Sequence, residues 1–254
     1  DMLWASPSHN GQPTGYVGWV PNNGSSWGGH ILLWEEVEGV LDFLPTDLNG
    51  DGLTDIVVCK GEDPVIDYRI NLGGGDFYNL HTLTTNFTTP LYAQAADLNE
   101  DGLMDIIVSA DNSFGGEDRI AWWPGTGGGY LGAQQDIYVG GPAMEKFILT
   151  DYDGDGVQDI VTSGYQDYPM QWLKGQGNGD FLPPLPIPNG VIAVRGFELA
   201  DMDGDGDLDA IVGEVFGELL YYKNTGNSTN PVYTPQTGSN NPFNGIDIGS
   251  YSAP

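Results

Sequence analysis

One acidic nine-residue pattern returns four times along this chain, and it constrains the fold more than any other feature. Its copies start at Asp47, Asp97, Asp151 and Asp201. The first carries Asp47, Asn49, Asp51 and Asp55; the second Asp97, Asn99, Asp101 and Asp105. The third carries Asp151, Asp153, Asp155 and Asp159; the fourth Asp201, Asp203, Asp205 and Asp209. Oxygen side chains thus fall at positions 1, 3, 5 and 9 of each copy, with glycine at position 6 (Gly52, Gly102, Gly156 and Gly206). Each copy runs straight into a short apolar run: 56–58, 106–108, 160–161 and 210–212.

That spacing suits a hard cation. A chain winding tightly around an ion aims alternate side chains inward, and calcium takes six to eight oxygens with tolerant geometry. Three or four carboxylates held together with no cation between them repel one another. Glycine at position 6 is expected where the loop reverses with positive φ. The residue after it contributes its backbone carbonyl, so Leu53, Leu103, Val157 and Asp207 complete the candidate ligand sets. Asn49 and Asn99 keep an oxygen but remove a charge, so the third and fourth loops are expected to hold calcium more tightly. An EF-hand would need Glu at position 12 and a following helix. Position 12 is Val58, Val108, Thr162 or Val212, in strand-forming surroundings. About four calcium ions are therefore expected.

The formal charge of the 254-residue chain is −29, from 36 Asp and Glu against seven Lys and Arg. Such a surface repels nucleic acid and anionic membranes, and no stretch reads as a signal peptide or a membrane span. Thirty-nine glycines and 17 prolines among many aromatic and β-branched residues indicate a turn-rich all-β chain, not a disordered one. The single cysteine, Cys59, reads as a buried small hydrophobe and excludes an intrachain disulfide. Calcium loops of this kind point to an extracellular or cell-surface location, where the ion is plentiful.

The first aspartates lie 50, 54 and 50 residues apart, the mark of a repeat architecture. Four strands are predicted per unit: 41–46, 54–60, 67–72 and 77–83, then 92–96, 104–109, 119–123 and 130–138. They continue as 146–150, 158–163, 170–174 and a run from 181, then 195–200, 208–213, 218–223 and 231–234. Residues 1–34 fit the same register as three strands of a unit lacking its first strand and loop. Residues 245–254 read as the approach to another first strand. The chain thus reads as one domain, 1–254, of repeats near 1–39 (partial), 40–90, 91–143, 144–193 and 194–244. Four-stranded units at this period predict a β-propeller, whose closure removes exposed sheet edges. A sandwich of short strands is the competing architecture, but it gives no reason for one loop to recur at equal intervals.

The Asp-x-Asn/Asp-x-Asp-Gly-x-x-Asp-hydrophobic run, with the Trp/Tyr-x-x-Gly turns that follow it, resembles FG-GAP/VCBS-type repeats. Integrin α-subunit propellers and some lectins share that repeat, and the resemblance covers essentially the whole chain. It implies calcium in the turn after the innermost strand of each blade, held by the residues named above. The family often builds seven blades. This chain supplies four full units and a partial one, which leaves three arrangements open: a five-bladed ring with irregular closure, a segment of a larger ring, or a ring completed by a strand from a neighbouring chain.

Other residues suggest little chemistry. Trp19, Tyr68, Trp122, Trp123, Trp172, Tyr221 and Tyr222 recur on third strands, which favours packing between sheets over sugar stacking. Trp4, Trp27 and Trp34 are less regular and are better candidates for a binding surface. His9, His30 and His81 share no metal or triad spacing. Glu35, Glu36 and Glu38 form a local acidic cluster in which a glycosidase-like pair stays open. The triplets at 73–75 and 127–129 read as hairpin turns, with no helix or lysine for phosphate binding. Asn23, Asn86 and Asn227 begin glycosylation sequons. The expected function is non-enzymatic: recognition of a glycan or an extracellular protein. Two other functions stay open: a fibre or surface-layer subunit that self-associates through its incomplete terminal unit, and an accessory domain of a polysaccharide-degrading enzyme.

Overall fold

The computed structural model describes residues 2–6, 16–20, 24–29, 31–34, 39–61, 65–78, 80–83, 85–86, 89–111, 118–140, 146–163, 169–187, 196–213 and 217–246. Apart from one 3₁₀ turn at Gly238–Asn240, their regular structure is β-strand. Among the described residues, five main sheets follow one another in chain order. Sheet A contains Met2–Ser6, Tyr16–Val20 and Ile31–Trp34. Sheet B contains Val40–Thr46, Asp55–Lys60, Val65–Arg69 and His81–Leu83. Sheet C contains Pro90–Ala96, Asp105–Ala110, Arg119–Trp123 and Gln135–Val139. Sheet D contains Phe147–Thr150, Asp159–Thr162, Gln171–Leu173 and Leu185–Pro186. Sheet E contains Gly196–Ala200, Asp209–Gly213, Leu219–Asn224 and Tyr233–Gln236. Strand order in every sheet follows chain order, so each is a meander.

The chain divides into two compact units, residues 1–97 with 101–136 and residues 98–100 with 137–254. In the first, Val17 and Leu33 of sheet A pack with Ile56 and Val58 of sheet B. Val57, Cys59, Ile66 and Tyr68 point to the opposite face of sheet B. There they meet Ile106, Val108, Ala121 and Trp123 of sheet C. Residues 56–59 of the strand Asp55–Lys60 are therefore buried on both faces, which is why that run is continuously apolar and does not alternate. In the second unit, Val161 of sheet D and Met170, just before its third strand, pack with Phe197, Ala210 and Val212 of sheet E.

Three expected strands are interrupted: 67–72, 77–83, of which Phe77 lies in a small hairpin and only His81–Leu83 joins sheet B, and 130–138. The run 67–72 ends as a sheet strand at Arg69, and Asn71–Gly73 forms a separate two-stranded hairpin with Asp76–Phe77. The run 130–138 likewise splits into Tyr130–Leu131, paired with Gly125–Gly127, and Gln135–Val139. The cause is local. The N–H groups of Asn71 and Gly125 bind the carboxylates of Asp55 and Asp105, which draws the chain away from the sheet. The glycine triplets form the hairpin tips, and all six glycines have positive φ.

Candidate metal centres

Each acidic nonapeptide forms the connection between the first and second strands of its sheet. Its last residue is the best defined. Asp55, Asp105, Asp159 and Asp209 are all fully buried. One oxygen of Asp55 accepts the N–H of Leu48 at 2.8 Å and the other that of Asn71 at 2.7 Å. Asp159 repeats this with Tyr152 at 3.0 Å and Gly175 at 2.8 Å. Asp209 does so with Met202 at 3.2 Å and Asn224 at 2.7 Å, and also accepts the Tyr221 hydroxyl at 2.7 Å. Asp105 accepts the N–H of Gly125 at 2.7 Å. The position-9 carboxylate therefore latches the loop to the end of the third strand. Burial raises the pKa of Asp55 and Asp159, and the backbone donors oppose that shift.

Position 1 organises the loop itself. Asp47 accepts N–H groups from Gly50, Asp51 and Gly52, and Asp201 does the same with Gly204, Asp205 and Gly206. Asp97 binds Asp101 and Gly102; Asp151 binds Asp155 and Gly156. Position 5 accepts the N–H of position 7, pairing Asp51 with Leu53, Asp101 with Leu103, Asp155 with Val157 and Asp205 with Asp207. Position 3 is occupied differently. Asn49 bonds to Asp51 through both its oxygen and its nitrogen.

The glycines at position 6 have φ between +82° and +93°, as the turn requires. A second residue in each loop also has positive φ: Gly50, Glu100, Gly154 and Gly204, at position 4. Three glycines in four copies were a readable signal for this, and Glu100 is the exception. It is the one non-glycine residue with positive φ among those described.

The donor chemistry fits calcium. In the third loop, oxygens of Asp151, Asp153 and Asp159 lie within 4.8 Å of one another; in the fourth, those of Asp201, Asp203 and Asp205 do. The Oδ1 of Asp153 is buried without a hydrogen-bond partner, an expensive position for a carboxylate oxygen unless a cation faces it. Two lysines at the ends of third strands also reach these clusters. Lys174 Nζ binds Asp153 and lies 2.6 Å from Asp155, while Lys223 Nζ binds Asp203 and lies 3.4 Å from Asp205. Lys174 holds the Asp155 pKa below its ordinary value, and its own pKa is raised by Asp153 and then Asp155. These lysines were not among the expected site residues.

Of the aromatic residues, Tyr68, Trp122, Trp123 and Tyr221 are buried, and Trp19, Trp172 and Tyr222 pack against the cores. Trp27 is 56% exposed. His81 stacks on Tyr68 and Tyr78, with ring centroids 4.9 Å and 6.1 Å away. Asn86 and Asn227 are exposed. His9, His30, Asn23, Glu35, Glu36, Glu38 and the side chains of Trp4 and Trp34 lie outside the described residues.

An FG-GAP-like repeat profile matches residues 47–108, 97–162 and 151–212. Each match starts at position 1 of one loop and ends at position 12 of the next, so the profile includes the loops described above. The chain belongs to the FG-GAP repeat family. FG-GAP repeats are typical of extracellular and surface proteins, and they often bind calcium. No curated protein sequence matches this FG-GAP repeat chain. Among solved structures it is similar to a chain of the Photorhabdus luminescens Tc holotoxin pore, at 15% identity and a TM-score of 0.31. That similarity covers 94% of this chain and 15% of the other. No helix among the described residues is long and apolar enough to cross a membrane.

Proposed function

We propose that this FG-GAP repeat chain is a calcium-stabilised β-propeller that works outside the cell by recognising a glycan or another extracellular protein, without catalysis. The observation that carries the calcium assignment is the buried, unpartnered Oδ1 of Asp153 within a loop whose acidic pattern recurs four times. Calcium would be held by the side chains at positions 1, 3, 5 and 9 and the carbonyl at position 7. It would supply the positive charge that these carboxylates lack.

A repeated sheet-to-sheet step supports the propeller. Within the first unit, Gly129, at the tip of the hairpin that follows the third strand of sheet C, approaches Ile70 and the loop residue Asn49 beside sheet B. Within the second, the turn at Ser228 of sheet E approaches Gly154 in the loop of sheet D. The same loop-to-next-turn relation is what radially repeated sheets produce.

Recognition is supported by a groove of about 680 Å³ beside the first loop, lined by Trp19, Phe43, Leu53, Asn71 and Phe77. Its apolar walls with a few polar groups suit a ligand with both kinds of surface. A glycan array and an extracellular-protein array, each probed in calcium and in EGTA, test the reading. Calcium-dependent binding to a defined ligand is expected. Absence of binding on both arrays, or release of product from a polysaccharide, overturns it.

A further inference from the structure

The four loops differ in charge, and one strand residue tracks the difference. Position 3 is Asn49 and Asn99 in the first two loops but Asp153 and Asp203 in the last two. The residue just before the N–H donor to the position-9 carboxylate is Ile70, Pro124, Lys174 and Lys223, in the same order. Asparagine is thus paired with an apolar residue, and aspartate with lysine. Both lysines bridge positions 3 and 5 of their own loop. Counting positions 1, 3, 5 and 9, the lysine returns the third and fourth loops to the formal charge of the first two, −3.

We propose that Lys174 and Lys223 are built-in counter-cations of the third and fourth loops, so that calcium binds more weakly there than in the first two. The inference rests on the calcium reading above and reverses the order expected from carboxylate count. An ammonium is a compact charge with three donors, and it satisfies two carboxylates without dehydrating a metal ion. Calcium entering the third loop has to separate Lys174 from Asp153 and Asp155, and then lies close to a displaced positive charge. Ile70 and Pro124 present no such competitor. The third and fourth loops therefore keep their shape when calcium is scarce, while the first two depend on it.

Calorimetric calcium titration of the whole chain tests this, comparing the unaltered protein with Lys174→Met/Lys223→Met. The unaltered chain is expected to show two tight sites, lost in Asp51→Asn/Asp101→Asn, and two weaker ones. The methionine variant is expected to tighten the weaker pair about tenfold at each site. In EGTA it should melt below the parent, and adding Asp153→Asn/Asp203→Asn should recover part of the loss. Should the methionine variant fail to fold, Pro124→Lys carries the test by installing the ammonium beside the second loop. One tight site should then weaken about tenfold. Calcium affinities that ignore all these lysine changes overturn the inference and leave the calcium reading standing. No calcium uptake by any of the proteins overturns both.

Discussion

Asp42 accepts a hydrogen bond from the backbone N–H of Ala93 at 2.9 Å, linking the first strand of sheet B to the first strand of sheet C. The second unit makes the equivalent link with opposite chemistry. Lys146 Nζ donates to the carbonyl of Phe197 at 3.3 Å and pairs with Glu198 at 3.1 Å. Asp42 and Lys146 each lie five residues before their own loop, and Ala93 and Phe197 each lie four residues before the next. First strands of successive sheets are therefore tied at one fixed register in both units. A side chain reaching a neighbouring backbone can use either charge, because every residue there offers both a donor and an acceptor.

The Asp42 link carries a pH signature. Burial raises the pKa of Asp42, and the N–H groups of Ala93 and Phe43 only partly offset the shift. A carboxyl with a raised folded-state pKa contributes stability below its unfolded value, and this is lost as pH rises through the folded value. At neutral pH the charge is thus a burden that asparagine would not carry, although asparagine still accepts from Ala93. Asp42→Asn is expected to melt a few degrees above the parent at pH 7. The difference should close below about pH 4, near the ordinary carboxyl pKa. Denaturation midpoints of the two proteins across pH 3 to 7 check this, since shared carboxylates cancel in the comparison.

The position-9 aspartates should matter with or without calcium. Replacing Asp55 or Asp159 by alanine strands two buried N–H groups, at a cost of about 2–4 kcal/mol. Metal ligands lost from the same loop, for example in Asp51→Ala, should cost far more in calcium than in EGTA, because the hydrogen bonds that Asp51 accepts from Leu53 and Asn49 are exposed to water. Urea unfolding in EGTA distinguishes the two classes. At the fourth loop, Tyr221→Phe removes a hydroxyl donor from Asp209 and should cost about 1 kcal/mol in either condition.

Much of this was legible before the structure. Strands such as 56–58 and 106–108 announce themselves because burial on both faces forces a continuous apolar run. The loops announce themselves because oxygen ligands need a fixed spacing. That same spacing hides the latch. An aspartate at position 9 reads as a ligand whether it faces an ion or two backbone N–H groups. Only the fold shows that Asp159 also accepts the N–H groups of Tyr152 and Gly175. The break after Arg69, and the hairpins that split the runs 77–83 and 130–138, follow from this latch, so they were hidden too. Lys174 lies 21 residues from Asp153, beyond any local pattern, and its pairing becomes readable only when the four loops are aligned through their latches.

Glu100 sits at φ 58°, where the other three loops use glycine. A side chain in this left-handed region costs roughly 1–2 kcal/mol, while glycine adds about 0.5–1 kcal/mol of unfolded-state entropy. Glu100→Gly is therefore expected to stabilise the chain by up to about 1 kcal/mol. Gly52→Ala should do the reverse by about the same amount, although a Cβ there meets nothing within 4 Å. That cost comes from the backbone alone. Thermal melts in saturating calcium are the appropriate measurement, since they keep both loops closed.

Cys59 is fully buried, and burial together with the nearby Asp42 charge pushes its thiol pKa far up. The thiolate is the reactive form, so the folded protein should resist thiol reagents at pH 8. Modification is expected to appear only in denaturant, with the unfolding midpoint. Rapid labelling of the native chain would contradict the packing between sheets B and C.

Calcium removal is the broadest expected effect. Extracellular modules bind calcium at about 10⁻⁴–10⁻³ M, and tenfold saturation of one such site stabilises the fold by roughly 1.4 kcal/mol. Four independent sites would contribute about 6 kcal/mol, comparable with the roughly 5–15 kcal/mol stability of a whole domain. Charge acts in the same direction, because four calcium ions change −29 to −21 and reduce the self-repulsion of the compact state. A melting temperature lower by ten degrees or more in EGTA is expected, on the order of what several kcal/mol produce in a chain this long. Added sodium chloride should recover only the screening part of that loss, since monovalent ions weaken repulsion without coordinating the loops. Equal recovery by salt and by calcium would mean that the loops need screening and not a ligand. Calorimetric melts in calcium, EGTA and EGTA with salt separate these outcomes.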